Sequence, residues 1–183
     1  MNLNSITANN GIIHFNKNCY PAINEHLKKE NFSKIFILVD NNTHELCLPY
    51  FLEKLETNAT IEIIEIEEGE INKTIETCVG VWNTLSELDA DRKSLLINIG
   101  GGVITDLGGF VASTFKRGIA YINIPTTLLA MVDASVGGKT GVDLGHLKNQ
   151  IGVISTPDIV LIDTQYLNTL AANQMRSGLA EML

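Results

Sequence analysis

No stretch of this sequence approaches the roughly 18 uninterrupted apolar residues of a membrane-spanning helix. The opening residues, MNLNSITANN, hold neither a basic segment nor the apolar run of a secretory leader. Basic residues are scarce, with 13 Lys and Arg against 21 Asp and Glu, a net charge of -8. Such a balance disfavours non-specific attraction to nucleic acid or to an anionic membrane surface, and leaves a small molecule as the expected partner. Cysteines number three, at 19, 47 and 78, with no CxxC pair. A chain of this size needs no disulfide staples, so they read as reduced thiols of a soluble, cytoplasmic protein.

What is present is an alternation of short β-rich runs with helical patterns. Strand candidates are residues 34–39 (KIFILV), 61–66 (IEIIEI), 95–99 (LLINI), 121–124 (YINI) and 159–162 (IVLI). Helical periodicity marks residues 43–55, 74–88, 105–115 and 128–136, and 173–183 reads as a further helix that has just begun. Strand and helix in turn predict one α/β domain, its mainly parallel sheet covered by helices on both faces in a Rossmann-like arrangement. LLINI and IVLI, apolar throughout, suit central strands, whereas the partly alternating IEIIEI suits a place nearer an edge.

The strongest local motif is NIGGGVITDLGG at 98–109, which follows an apolar strand and opens a helical pattern. Glycines let a backbone approach a ligand closely, and the next helix presents unpaired N–H groups and a positive dipole end. The spacing is not GxGxxG, so that fingerprint is absent. Strand, glycine turn and helix start still predict pyrophosphate binding; the alternative is a glycine turn without a ligand, in which Asp106 merely favours the helix dipole. Thr126 and Thr127, after Pro125, could serve as an N-cap or as ligand contacts.

Residues 133–149, DASVGGKTGVDLGHLKN, imitate the end of a P-loop at Gly137 to Thr140. The pattern GxxxxGK[ST] fails, because Asp133 stands where the first glycine belongs. What remains is a loop bearing Lys139 and Lys148 beside Asp133 and Asn149. Two ammonium groups near an amide suit phosphate and carboxylate groups, unless they are simply solvated loop charges. His146 reads as an ordinary loop histidine.

Taken together, GGGVITDLGGFVASTFKRG, INIPTTLLAMVDASVGGKTGVD, LKNQIG and SGLAEML resemble the 3-dehydroquinate synthases, densely from residue 100 to 183 and more thinly before. The glycine run with a downstream aspartate occurs also in glycerol-dehydrogenase-like, metal-dependent alcohol dehydrogenases. DASVGGKTGVD and the Lys-Asn pair separate the two groups.

The resemblance implies NAD as cofactor. Asp40, Asn42, Glu68, Gly69, Glu70 and Lys73 match adenosine-side contacts. Gly101, Gly102, Val103, Asp106, Thr126 and Thr127 match the pyrophosphate and nicotinamide end, and Tyr166, Leu167, Asn168 and Thr169 match a stretch that closes over the cofactor. Asp133, Lys139, Lys148 and Asn149 match residues lining the pocket for a phosphorylated sugar acid, the two lysines also lying by the cofactor. Arg117 matches an arginine that reaches the phosphate across a homodimer interface, and Glu181 the first ligand of a divalent metal, zinc or cobalt.

The implied reaction, a carbon-oxygen lyase step of the shikimate pathway, converts 3-deoxy-D-arabino-heptulosonate 7-phosphate to 3-dehydroquinate and phosphate. NAD would take a hydride and return it, the ketone formed meanwhile acidifying the C–H lost with phosphate. A catalytic zinc generally has three protein ligands, yet only two residues follow Glu181, and His14, His26 and His44 lack metal-site spacing. The expectation is an NAD-binding domain over 1–172 and the start of a helical domain over 173–183, inactive by itself. Related sugar phosphate cyclases and a non-catalytic NAD-binding module are the alternatives.

Overall fold

In the computed structural model, which describes residues 5–8 and 11–182, the apolar β-branched runs pair side by side. The outermost residues of the reading at the start, 1–4, 9 and 10, and the last residue of the 173–183 helix lie outside the described residues. Nine strands are described: β1 (Ile6–Ala8), β2 (Gly11–Phe15), β3 (Ile35–Asp40), β4 (Ile61–Ile66), β5 (Leu95–Gly100), β6 (Ala120–Pro125), β7 (Lys139–Leu144), β8 (Leu147–Ile154) and β9 (Ile159–Ile162). Seven form one sheet in the order β1-β2-β9-β6-β5-β3-β4, parallel throughout except for the β1–β2 hairpin. All five strands expected from sequence are present, and β4 sits at an edge as its alternation suggests. Strand β5 is buried along its whole length.

The helices are α1 (Cys19–Glu30), α2 (Asn41–Leu46), α3 (Leu48–Lys54), α4 (Ile75–Glu87), α5 (Gly102–Thr114) and α6 (Ala172–Glu181). They divide between the faces. Cys19, Ile23 and Leu27 of α1, with Leu48 and Phe51 of α3, pack against Ile35, Ile37, Ile97 and Ile122. Cys78, Val81 and Leu85 of α4, with Leu107 and Val111 of α5, pack against Phe36, Leu38 and Leu96. Alternate residues of β3 and β5 thus feed two cores, as a strand covered on both sides must.

Several expectations change in detail. The helix expected over 43–55 is two helices broken at Cys47, because Pro49 lacks an N–H and belongs to a first helical turn. Helix α4 begins where Thr74 accepts a hydrogen bond from the Thr77 amide. Residues 128–136 contain a π-helix at Ala130–Ala134, in which the Ser135 amide donates to the carbonyl of Ala130, five residues back. The segment read as a loop ending at Asn149 is corrected: most of it belongs to the antiparallel β7–β8 hairpin, whose glycines suggested a loop but stand opposite one another as Gly141 and Gly152. Helix α1 and the β1–β2 hairpin were not anticipated.

Candidate functional site

Strand order reverses around β3. The chain leaves β3 through α2 and α3 on one face to reach β4, then returns through α4 on the other face to β5, on the far side of β3. The carboxyl ends of β3 and β5 therefore diverge into different layers, and the crevice between them is the usual ligand position in open α/β sheets. Asp40 ends β3, Gly101 and Gly102 follow β5, Thr126 and Thr127 follow β6, and the turn Thr164–Thr169 follows β9. The fold thus brings these expected cofactor residues to the carboxyl ends of the strands.

The glycine turn is shaped by its neighbours. A side chain at Gly100 would strike Ile104, with a Cβ at 2.5 Å, and one at Gly101 would press on Thr127 at 3.0 Å. Gly102 differs: a Cβ there meets only Ala134, at an ordinary 3.6 Å. Neither crowding by the protein nor a left-handed backbone demands glycine at this first position of α5. Gly101 is the N-cap and offers no side chain to the helix start, which leaves a bare, dipolar N-terminus beside an open cradle. The residues present fit a dinucleotide pyrophosphate.

Asp40 engages its own helix, its Oδ1 accepting from the Thr43 amide at 2.7 Å. Glu68, Gly69 and Glu70 are exposed beyond β4, and Asn41 accepts from the Glu68 amide. Thr126 is buried, its amide donating to the carbonyl of Gly100 at 3.0 Å. Tyr166 is buried against Tyr50 with its hydroxyl 3.0 Å from that of Tyr20, so its ring anchors the turn. Burial raises its phenol above the ordinary value, with the Tyr20 hydrogen bond opposing. Leu167 is half-buried on the same core, while Asn168 and Thr169 are exposed.

Lys73 lies elsewhere than its sequence neighbours. It is 4% exposed, and its ammonium donates to Asp106 Oδ2 at 2.6 Å and to Asn149 Oδ1 at 2.8 Å. Burial raises the Asp106 carboxyl above its ordinary range, Lys73 opposes that rise, and Glu70 and Asp133 add to it. Asp106, Asp133, Lys139 and Asn149 line one cleft of about 530 Å³ together with Thr140 and Gln150. The last two come from the hairpin and belong to quoted motifs, but nothing in the sequence singles them out as site residues. Asp133 projects from the π-helix, a local insertion common where a side chain must be re-aimed. Lys148 is exposed and pairs with Glu70 at 3.2 Å.

Two expected residues stand apart. Arg117 follows the 13-residue α5 at the end away from the glycine turn, about 20 Å along the helix axis, and is exposed with φ 71°. Glu181 is exposed on α6, which rests through Gly178 on Leu128. Among the described residues no three His, Cys, Asp or Glu side chains are grouped to hold a metal ion, so Glu181 alone does not make a metal site here.

Residues 63–177 match the 3-dehydroquinate synthase N-terminal family. A 3-dehydroquinate synthase from Parabacteroides distasonis is 45% identical over 91% of this chain and 47% of its own length. One from Pyrococcus abyssi is 47% identical over 89% and 47%. The chain therefore spans about half the length of the curated relatives it matches. Among solved structures, 2-epi-5-epi-valiolone synthase from Streptomyces hygroscopicus, with NAD+ and Zn2+ bound, superimposes with a TM-score of 0.85 at 29% identity, covering 99% of this chain and 50% of that one. A 2-deoxy-scyllo-inosose synthase complexed with carbaglucose-6-phosphate, NAD+ and Co2+ gives 0.86 at 26% identity, covering 94% and 48%.

Proposed function

Because the chain belongs to the 3-dehydroquinate synthase N-terminal family, we propose that it supplies the NAD-binding part and the lysine-bearing substrate cleft of a 3-dehydroquinate synthase. Gly102 is the observation on which the cofactor reading rests: a glycine that packing does not require, at a bare helix N-terminus, on the crevice where the sheet reverses. The first amides of α5 are then the donors to the pyrophosphate. NAD, when bound, supplies a hydride acceptor that gives the hydride back within one cycle.

The remaining work falls to this chain's own side chains. Lys139 and Lys148 offset the charges of phosphate and carboxylate on the heptulosonate phosphate, and Asn149 and Asp133 orient its hydroxyl groups. Lys73 and Asp106 fix the boundary between cofactor and substrate. Arg117, at the end of α5 away from the glycine turn, serves in this reading the cleft of a second copy, with the protein acting as a homodimer. Three buried free thiols suit a reducing, cytoplasmic setting. Zinc or cobalt does not fit the described residues, so no step is assigned through it.

Calorimetry of the purified chain tests the cofactor site. NAD binds, and Gly102→Ala weakens it by about 10-fold to 100-fold with the melting temperature unchanged, because the added methyl occupies ligand space. Equal affinities would overturn the reading. Phosphate release with NAD and zinc is expected to be negligible for this chain, and turnover at an enzymatic rate would refute that. The two cyclase neighbours favour a second reading, a synthase of an inosose or a valiolone. The product made by an active form decides between them.

A further inference from the structure

The β7–β8 ladder is irregular at one place. Val142 pairs with Ile151 and Leu144 with Leu147, so the single residue Asp143 stands opposite Lys148, Asn149 and Gln150. Extra residues on one strand bulge out of the ladder and turn their side chains in new directions. Here the bulge contains Lys148 and Asn149, two of the residues assigned to the substrate. Asn149 has φ 53°, the left-handed region, which asparagine enters more readily than other side-chain-bearing residues but which still costs free energy.

Three hydrogen bonds close a ring around that conformation. The Asp143 amide donates to the Lys73 carbonyl at 2.9 Å. Asp143 Oδ1 accepts from the Asn149 amide at 2.7 Å. Lys73 Nζ donates to Asn149 Oδ1 at 2.8 Å. A bridge between Thr74 and Asp143 ties the same point of the hairpin to the start of α4.

We infer that Asp143 is a positioning residue: its carboxylate clasps the amide of Asn149, holds the bulge in its left-handed form, and so presents Asn149 to the cleft with Lys148 beside it at the rim. The inference rests on the substrate reading given above. Asp143 touches no ligand; its effect passes through Asn149. A backbone amide bonded to an ionised carboxylate is among the stronger hydrogen bonds, which suits a contact that must offset a left-handed asparagine.

Two measurements on the purified chain separate this inference from the substrate reading. Hydrogen exchange at the Asn149 amide, followed by NMR, needs no ligand. Asp143→Ala should speed it by about tenfold or more, and Asp143→Asn, which keeps an acceptor, should restore much of the protection. Calorimetry with 3-deoxy-D-arabino-heptulosonate 7-phosphate should show about tenfold weaker binding for Asp143→Ala, substantially recovered in Asp143→Asn, at matched melting temperatures. Exchange at Asn149 unaltered by Asp143→Ala, or no difference between the two variants, overturns the clasp. If the unaltered chain binds no heptulosonate phosphate, the substrate reading fails, and the exchange result still decides for or against the clasp.

Discussion

A lysine that is 4% exposed must have its charge met by protein, and at Lys73 this is done by Asp106 and Asn149. Replacing it with methionine leaves the Asp106 carboxylate buried without its cation, a loss of about 3–5 kcal/mol in such pairs. The sign with pH follows from Asp106. Its folded pKa is raised from 3.8 by burial, so its contribution to stability is complete below the unfolded value and is lost as pH climbs through the folded one. Lys73→Met removes an opposing influence and raises that pKa further. Urea unfolding should therefore show a smaller deficit for the variant in acid than at about pH 8, and 13C NMR should show Asp106 titrating higher than in the wild type. A deficit that shrinks as pH rises would contradict the pairing. The sequence marked Lys73 only through family resemblance, and among adenosine-side residues. Its reach to Asp106 and Asn149, 33 and 76 residues away in the chain, has no local signature.

Two glycines inside helices make opposite predictions at the scale of elements. Gly108, in α5, faces the strand beneath it: a Cβ would lie 2.0 Å from Oδ1 of Asn98, a fully buried side chain whose amide donates to Asn123 on the neighbouring strand at 2.9 Å. Gly108→Ala must push helix from sheet, and the strain of about 1–3 kcal/mol exceeds the roughly 1 kcal/mol gain in helix propensity. Gly80, in α4, has nothing within 4 Å of its added Cβ, so Gly80→Ala should stabilise by about 0.5–1 kcal/mol. Denaturant midpoints for both variants check the pair. Buried elements were legible because burial demands apolar residues: β3, β5 and β9 show it as continuous runs and α4 as a helical period. The start of α5 was less so, because its glycines are poor helix formers kept for other reasons. The hairpin was illegible, since Gly141, Gly145 and Gly152 imitate a loop and β8 is exposed along most of its length.

The described residues form a sheet with a core on each side, and the crevice between β3 and β5 exists only where both layers are in place. That reversal of strand order could not be read from periodicity, which gives strands but not their neighbours; the glycine turn hinted at its position. One consequence concerns ligand-linked stability. A ligand that needs β3, β5 and the start of α5 together binds the folded chain alone, and at 100 times its dissociation constant it adds about 2.7 kcal/mol. For a domain of this size NAD should then raise the melting temperature by roughly 5–10 °C, and Gly102→Ala should need correspondingly more NAD for the same rise. Zinc at a comparable excess should add no further shift, since the described residues group no three metal-binding side chains. A calorimetric scan in which zinc stabilised the chain as NAD does would mean that Glu181 and its surroundings already form a metal site.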